Sequence, residues 1–226
     1  MTDFFFTNHK SRLSNLKQVR NENFIYLNVY IDNFKLLCPN PVGFYFSLSG
    51  SIDTYFRVNL NSTNDAKNGG TIAPWTSFTN LPGFFLGMFN LIENFEGKET
   101  GFTADLIFGP RGNEAIFDSE GSLNIVNQLL AYCNVSDRFK LTLGDFNTFL
   151  GYEVILPTSN FNYSIYYMFS YGPFSLTDLK ADIDLGDGFS SMIGIFNPTD
   201  FTDFNPFGKY VGSTQLGYKN DKGGLS

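Results

Sequence analysis

The sequence predicts an all-β protein: an antiparallel transmembrane β-barrel with about eight strands in this chain, either closed or an incomplete barrel. Three observations favour this fold class. Apolar and polar residues alternate along several segments, aromatic residues flank these segments, and short connections alternate with long ones. No uninterrupted apolar run approaches the ~20 residues that a transmembrane helix requires. If this chain enters a bilayer, it must therefore cross it as strands of a closed barrel.

The composition agrees with many strands joined by turns. Aromatic residues make up 18% of the 226 residues, with 27 Phe and 12 Tyr, while charged residues make up only 16%. Aromatic residues favour strands and the 22 glycines suit turns, so a helical bundle is disfavoured. The net charge of −7 argues against a nucleic-acid-binding protein, which normally presents a basic face.

Residues 1–42 differ from the rest of the chain. Four basic residues between Lys10 and Arg20 precede an apolar stretch, 24–37, that polar residues interrupt. A signal peptide needs a clean apolar core and a small-residue cleavage site, and neither is visible. We predict an atypical or poorly ordered N-terminal segment over 1–42, barrel strands and loops over 43–220, and a tail over 221–226.

The segment 44–60 gives the clearest strand signal. Its even positions, such as Phe46 and Phe56, are mostly apolar or small, whereas its odd positions, such as Asp53 and Arg57, are mostly polar. Because successive side chains of a strand point to opposite faces, one face of this strand is apolar and the other is polar. A spanning strand needs only ~9–11 residues, so this strand is expected to protrude beyond the hydrocarbon.

The same period of two returns further along the chain. In 102–108, Phe102 and Leu106 alternate with Thr103 and Asp105. In 178–185, four apolar positions alternate with four charged ones: Asp178, Lys180, Asp182 and Asp184. Four charges on one strand face are very costly against lipid or in a dry core, but they are tolerable where that face lines water.

The complete set of predicted strands implies two unlike rims. We predict strands at 44–60, 84–94, 100–108, 123–133, 139–147, 176–185, 189–196 and 209–218. Short polar connections are expected at 96–99, 134–138 and 186–188, and long ones at 61–82, 109–122, 148–175 and 197–208. Short turns on one rim and long loops on the other are typical of outer-membrane barrels, with the short turns on the periplasmic side.

The connection 148–175 is ambiguous, because aromatic residues alternate along 161–171 as they would in a strand. A strand pair there, however, would put the tight turn at 184–188 on the long-loop rim. We therefore predict a long loop that folds into the lumen.

The alternative fold is a soluble extracellular β-sandwich that acts as a binding module, for example for carbohydrate through exposed aromatic rings. Its strands also alternate between an apolar inner face and a polar outer face. The length of the predicted strands and the aromatic residues that flank them favour the barrel.

Five segments resemble a family of outer-membrane porins, the putative β-barrel porin-2 or OmpL-like family. They are GSIDTYFRVNLN (50–61), GFTADLIFGPRG (101–112), NFNYSIYYMFSYGPF (160–174), LKADIDLGDG (179–188) and IFNPTDF (195–201). The resemblance spans roughly 47–218. It implies a barrel with more strands than fit here, passive diffusion of solutes, and a constricting loop like the run 160–174. Since such barrels generally end in a strand with a terminal aromatic residue, we expect this chain to be the N-terminal part of a longer barrel.

The candidate site residues follow from the polar faces and from the loop. The predicted pore-lining residues are Tyr45, Asp53, Tyr55, Arg57, Asp105, Asp178, Lys180, Asp182 and Asp184. The predicted constriction-loop residues are Tyr163, Tyr166 and Tyr167. Charged rings set the selectivity of pores, but Asp53 and Arg57, four residues apart on one face, fit a mutually compensating pair equally well.

Other motifs favour structural interpretations. Asp182, Asp184 and Asp187 offer oxygens to calcium, yet their spacing misses an EF-hand loop and favours a hairpin turn. GPRG at 109–112 lacks the ending of a phosphate loop, so Arg111 is expected in a loop or at a rim. With one His and two distant cysteines, Cys38 and Cys133, we expect unpaired thiols and no zinc site.

The sequence therefore predicts a porin-like channel of the bacterial outer membrane for passive diffusion of small solutes, and not an enzyme. No catalytic residue, cofactor or metal is expected. The expected partners are outer-membrane lipid and small hydrophilic solutes, without nucleic acid, and homo-oligomerisation remains open.

Overall fold

The computed structural model describes most of the chain from residue 18 onward. The described residues are 18–21, 24–39, 45–60, 63–65, 67, 82–116, 121–163, 165, 169–198, 200–221 and 223–225.

Eleven strands form one antiparallel sheet in which every strand pairs with its neighbours in the chain. Their bounds are β1 Gln18–Asn21, β2 Phe24–Pro39, β3 Tyr45–Asn59, β4 Gly83–Glu96, β5 Thr100–Phe108, β6 Val126–Ser136, β7 Phe139–Asn147, β8 Ser175–Gly186, β9 Phe189–Phe196, β10 Val211–Asn220 and β11 Gly223–Leu225. The fold class is thus confirmed as all-β and antiparallel. A sandwich would need two facing sheets, whereas the described strands make one, with no pairing that closes β11 onto β1.

The eight strands predicted from the alternation correspond to β3–β10. The predicted bounds of β5, β7 and β9 agree with the observed ones at both ends. Predicted strand 123–133 begins later, at Val126, because a 3₁₀ turn occupies Gly121–Ile125.

The two ends of the sheet were not predicted. β1 and β2 lie within 1–42, where no strand was expected, and β11 lies within the expected tail. The aliphatic residues of β2 occupy odd positions from Ile25 to Ile31, whereas Phe34, Leu36 and Cys38 occupy even ones. The register of the β2–β3 pair shifts between Ile31 and Phe34. A β-bulge of this kind reverses the parity of a strand, which hides its alternation. The remainder of 1–42 lies outside the described residues, and its role as a leader stays a prediction.

Short and long connections alternate from β3 to β10, as predicted. The connections 97–99, 137–138 and 187–188 are short, whereas 60–82, 109–125, 148–174 and 197–210 are long. The β8–β9 turn has positive φ at both Asp187 and Gly188, as a two-residue type I′ hairpin requires. Asp184 Oδ1 accepts a hydrogen bond from Gly186 N at 2.8 Å. The hairpin interpretation of this motif is therefore confirmed.

The helical content is small. One α-helix, α1, covers Pro110–Ala115, and further short 3₁₀ turns cover Pro157–Ser159 and Phe169–Tyr171. Among the described residues, no helix has the length and apolarity to cross a membrane.

The long connection 148–174 forms a loop with short 3₁₀ turns, as preferred over a strand pair. Its side chains Ile155, Ile165 and Phe169 are buried in one apolar cluster with Met88 of β4 and Ile107 of β5. Met88 pairs directly with Asp53 of β3, so this cluster lies on the same sheet face as Asp53. The loop therefore covers the face that carries the buried charges.

Candidate functional site

The two faces of the sheet have opposite characters, and two neighbouring rows show this. Leu143, Leu179 and Ile195 pair across β7, β8 and β9, and their exposed fractions are 63%, 50% and 59%. The next row contains Gly144, Asp178 and Phe196, and Asp178 is only 6% exposed. Apolar side chains thus face outward while a carboxylate faces inward. A water-soluble sheet shows the opposite order.

Asp53 on β3 links the inward face of the sheet, here called the wall, to the long connection 148–174. Its Oδ2 accepts a hydrogen bond from Tyr163 Oη at 2.9 Å, and both side chains are buried. A Cβ at Gly87 of β4 would collide with the Asp53 carboxylate, so glycine leaves the room that this contact needs. The ring of Tyr163 also lies 5.9 Å from that of Tyr55, centroid to centroid. Tyr163, a predicted constriction-loop residue, therefore lies against two predicted wall residues.

Asp105 on β5 is held by three amide side chains. Asn127 Nδ2 and Gln128 Nε2 donate to its Oδ2 at 2.6 and 3.3 Å, and Asn90 Nδ2 donates to Oδ1. The β5–β6 register shifts beside Asp105, which lets two consecutive residues of β6 reach the same carboxylate. Because hydrogen bonds to ionised groups are about twice as strong as neutral ones, this network fixes the charge to the wall.

Two arginines are almost fully buried near this site, Arg57 on β3 and Arg111 in α1. Arg111 Nε donates to the carbonyl oxygen of Ile155 at 3.0 Å, and its guanidinium carbon lies 5.3 Å from the Tyr163 ring centroid. Arg111 lies in the connection between β5 and β6, as predicted, but its burial was not foreseen: α1 turns it inward, where it binds the long connection 148–174. The positive charge of Arg111 also acts on Asp53. That Asp53 and Arg57 compensate only each other therefore stays a hypothesis.

The four charged positions of β8 share one face but differ in their surroundings. Lys180 Nζ lies 3.7 Å from Asp182 Oδ2 and 4.5 Å from the ring centroid of Phe146. Asp184 is exposed near the short turn, whereas Asp178 is buried toward the long-loop rim. Both carboxylate oxygens of Asp178 lack a hydrogen-bond partner among the described residues.

The other predicted site residues have varied outcomes. Tyr55 is buried and stacks on Phe85, with ring centroids 5.6 Å apart. Tyr45 is 64% exposed at the first residue of β3, at the short-turn rim. Tyr166 and Tyr167 lie outside the described residues. Whether any of these residues lines a conducting path stays a prediction.

The sequence interpretation missed the partners of the buried charges. Asn90, Asn127 and Gln128 were not singled out, nor was the inward apolar cluster of Phe146, Leu176, Met192 and Phe196. For Asn90 a signal exists. Gly87 interrupts the apolar run 84–89, as glycines at β-bulges often do, and the β3–β4 register shifts there. After that shift, the even positions of β4 face inward.

Comparisons with known proteins agree with this architecture. A family model described as "Putative beta-barrel porin-2, OmpL-like" matches residues 45–226. Neither a curated protein nor a solved structure matched the chain. Within the described residues, no group of three or more His, Cys, Asp or Glu side chains is arranged to hold a metal ion.

Proposed function

Since this chain belongs to the putative β-barrel porin-2, OmpL-like family, we propose that it forms a porin-like channel in the bacterial outer membrane, through which small hydrophilic solutes diffuse passively. The observation that carries this proposal is the inverted sheet: Asp53, Asp105 and Asp178 lie on the buried face, while leucine, isoleucine and phenylalanine side chains cover the exposed one.

Each face suits one side of such a channel. The exposed rows, with Leu143, Leu179 and Ile195 among them, supply an apolar surface that lipid can solvate. Aromatic pairs lie toward the strand ends, such as Phe95–Phe102 near the short turns and Phe56–Phe84 near the long loops. Such pairs correspond to the aromatic girdles at the two membrane interfaces. The short turns would then face the periplasm.

The inward face supplies the polar path. Charged and amide side chains on this face interact favourably with water and with solutes that have lost part of their hydration shell. The long connection narrows the path, because Tyr163 and Ile155 attach it to β3 and α1. We propose that Lys180, Asp182 and Asp184 lie along the open part of the wall, with Asp178 buried beside them toward the long-loop rim. No chemical step is part of this function.

The test is single-channel recording. The full chain, refolded in detergent, is added to a planar lipid bilayer in KCl, and discrete, ohmic current steps are expected. The control is the same protein after heat denaturation in the same detergent. The proposed function would be overturned if protease protection shows that the protein is folded and inserted in the membrane, but no current passes.

A further inference from the structure

Asp178 differs from the other buried carboxylates of the inner face. Asp53 accepts a hydrogen bond from Tyr163 and Asp105 accepts three from amides. Asp178 is equally buried, yet neither of its oxygens has a hydrogen-bond partner among the described residues. A buried carboxylate without a partner is costly, so it attracts a positively charged ligand.

The residue opposite Asp178 on β7 has no side chain. Gly144 lies directly opposite Asp178 on β7 with φ of 137°, which favours glycine. A Cβ at Gly144 would collide with the backbone of Leu129 and Leu130, so no side chain can fill this position. On the other side Asp178 pairs with Phe196 of β9, which is buried. Asp178 thus has a glycine as its partner on β7 and an aromatic residue as its partner on β9.

The same wall already stabilises a cation. The ammonium of Lys180 lies over the Phe146 ring, which shares an apolar cluster with Phe196 and Leu176. Aromatic faces attract cations, most strongly where water is excluded. Lys180 itself is engaged with Asp182 at 3.7 Å, so it does not neutralise both carboxylates.

The charges around Asp178 are mostly negative. Lys180 and Asp182 act on it from β8, and Asp145 of β7 is within electrostatic range. Asp200 and Asp203 of the connection 197–210 in turn act on Asp145. Among the charges that act on Asp178 and Asp145, Lys180 is the cation and the others are carboxylates.

We propose that Asp178 is a binding point for small cations, held between its carboxylate and the rings of Phe146 and Phe196, and that the channel therefore favours cationic over anionic solutes. This inference rests on the proposed function and adds the class of solute that the channel selects.

The experiment measures the reversal potential of the full chain in a planar bilayer under a KCl gradient at pH 8, with wild type, Asp178→Asn and Asp178→Glu. A unit charge about 7 Å from an ion in water changes the local concentration of that ion by about threefold. The same charge depletes Cl⁻ by about the same factor. The K⁺/Cl⁻ permeability ratio of wild type is therefore expected above one, and Asp178→Asn is expected to lower it about sevenfold. Asp178→Glu should retain most of the selectivity.

The matched control is Asp137→Asn, which removes one charge in the exposed β6–β7 turn and should leave the ratio unchanged. A second measurement adds methylammonium chloride to the KCl solutions on wild type alone, and it does not depend on the folding of a variant. Methylammonium should slow K⁺ current in proportion to its occupancy of the site.

The outcomes separate the two proposals. If inserted wild-type protein passes no current, the proposed function itself is overturned. Current that is anion-selective, or cation selectivity that is the same in Asp178→Asn and wild type, overturns the cation site while leaving the channel intact. If Asp178→Asn does not fold, absence of any methylammonium effect on wild type decides against the site.

Discussion

The inner face of the sheet has two parts, one on β3–β6 and one on β7–β9, which use the same residue types in different ways. On the β3–β6 wall, Asp53 and Asp105 are fixed by Tyr163 and by three amides, and the long connection covers them. On the β7–β9 wall, Asp178 has no hydrogen-bond partner among the described residues, and Lys180 shares its charge between Asp182 and an aromatic ring. The first wall uses its charges to hold structure. The second, on our proposal, leaves charge for solutes.

This difference should appear most strongly at Asp105. In Asp105→Ala, the amides of Asn90, Asn127 and Gln128 lose their acceptor, so the free energy of unfolding should fall by about 3–5 kcal/mol. The measurement is urea unfolding in lipid vesicles, followed by tryptophan fluorescence. The counterpart on the other wall, Asp182→Ala, removes only a partly exposed ion pair and should cost less than about 1 kcal/mol. Equal losses at both positions would erase the distinction between the walls.

The outer face should tolerate charge less well than the inner face. Leu179→Arg places a guanidinium in the exposed apolar row of β8 and should destabilise the protein in vesicles by about 2–4 kcal/mol. The matched variant Lys180→Arg changes the neighbouring inward position and should be nearly neutral. A neutral Leu179→Arg would mean that this row does not face lipid.

The close packing of β7 against β6 beside Asp178 depends on Gly144. Gly144→Ala puts a Cβ against the backbone of β6 at a positive φ, so we expect a loss of about 1–3 kcal/mol in the same unfolding assay. Gly212→Ala on β10 is the control, because a Cβ there meets nothing within 4 Å. If both variants unfold at the same urea concentration, the backbone does not need glycine at position 144.

The smallest expected effect concerns the attachment of the long connection. Tyr163→Phe removes the hydrogen bond to Asp53 but keeps the ring, which should cost about 1 kcal/mol and speed protease cleavage within 148–174. Tyr152→Phe is the control, since the Tyr152 ring is exposed and stacks on Phe161. Cleavage that is equally fast in both variants would show that Tyr163 does not hold the loop.

The sequence predicts regular strands well where alternation and turn chemistry agree. β9 follows an Asp-Gly turn and keeps one parity throughout, so both of its ends were predicted. β2 was missed because its parity reverses between Ile31 and Phe34. A register shift in β4 hid Asn90 in the same way. Period-two patterns fail wherever a bulge changes which face a residue meets.

The site was predictable only in part. The shared face of Asp53, Tyr55 and Arg57 follows from spacing along one strand. Their partners do not, because Tyr163 reaches Asp53 across 110 residues and Arg111 reaches Ile155 across 44. Such contacts depend on how a long loop returns to the sheet, and no local pattern encodes that path.

The most direct test of the central claim is a nitroxide scan along β8, from position 176 to 185, with Cys38 and Cys133 replaced by serine and the protein in lipid vesicles. Power-saturation measurements report access to oxygen, which concentrates in lipid, and to a water-soluble nickel complex. The account predicts a period of two, with oxygen access highest at 179, 181 and 183 and nickel access highest at 180, 182 and 184. Nickel access that peaks at 179 and 181 instead, or no alternation at all, would contradict it.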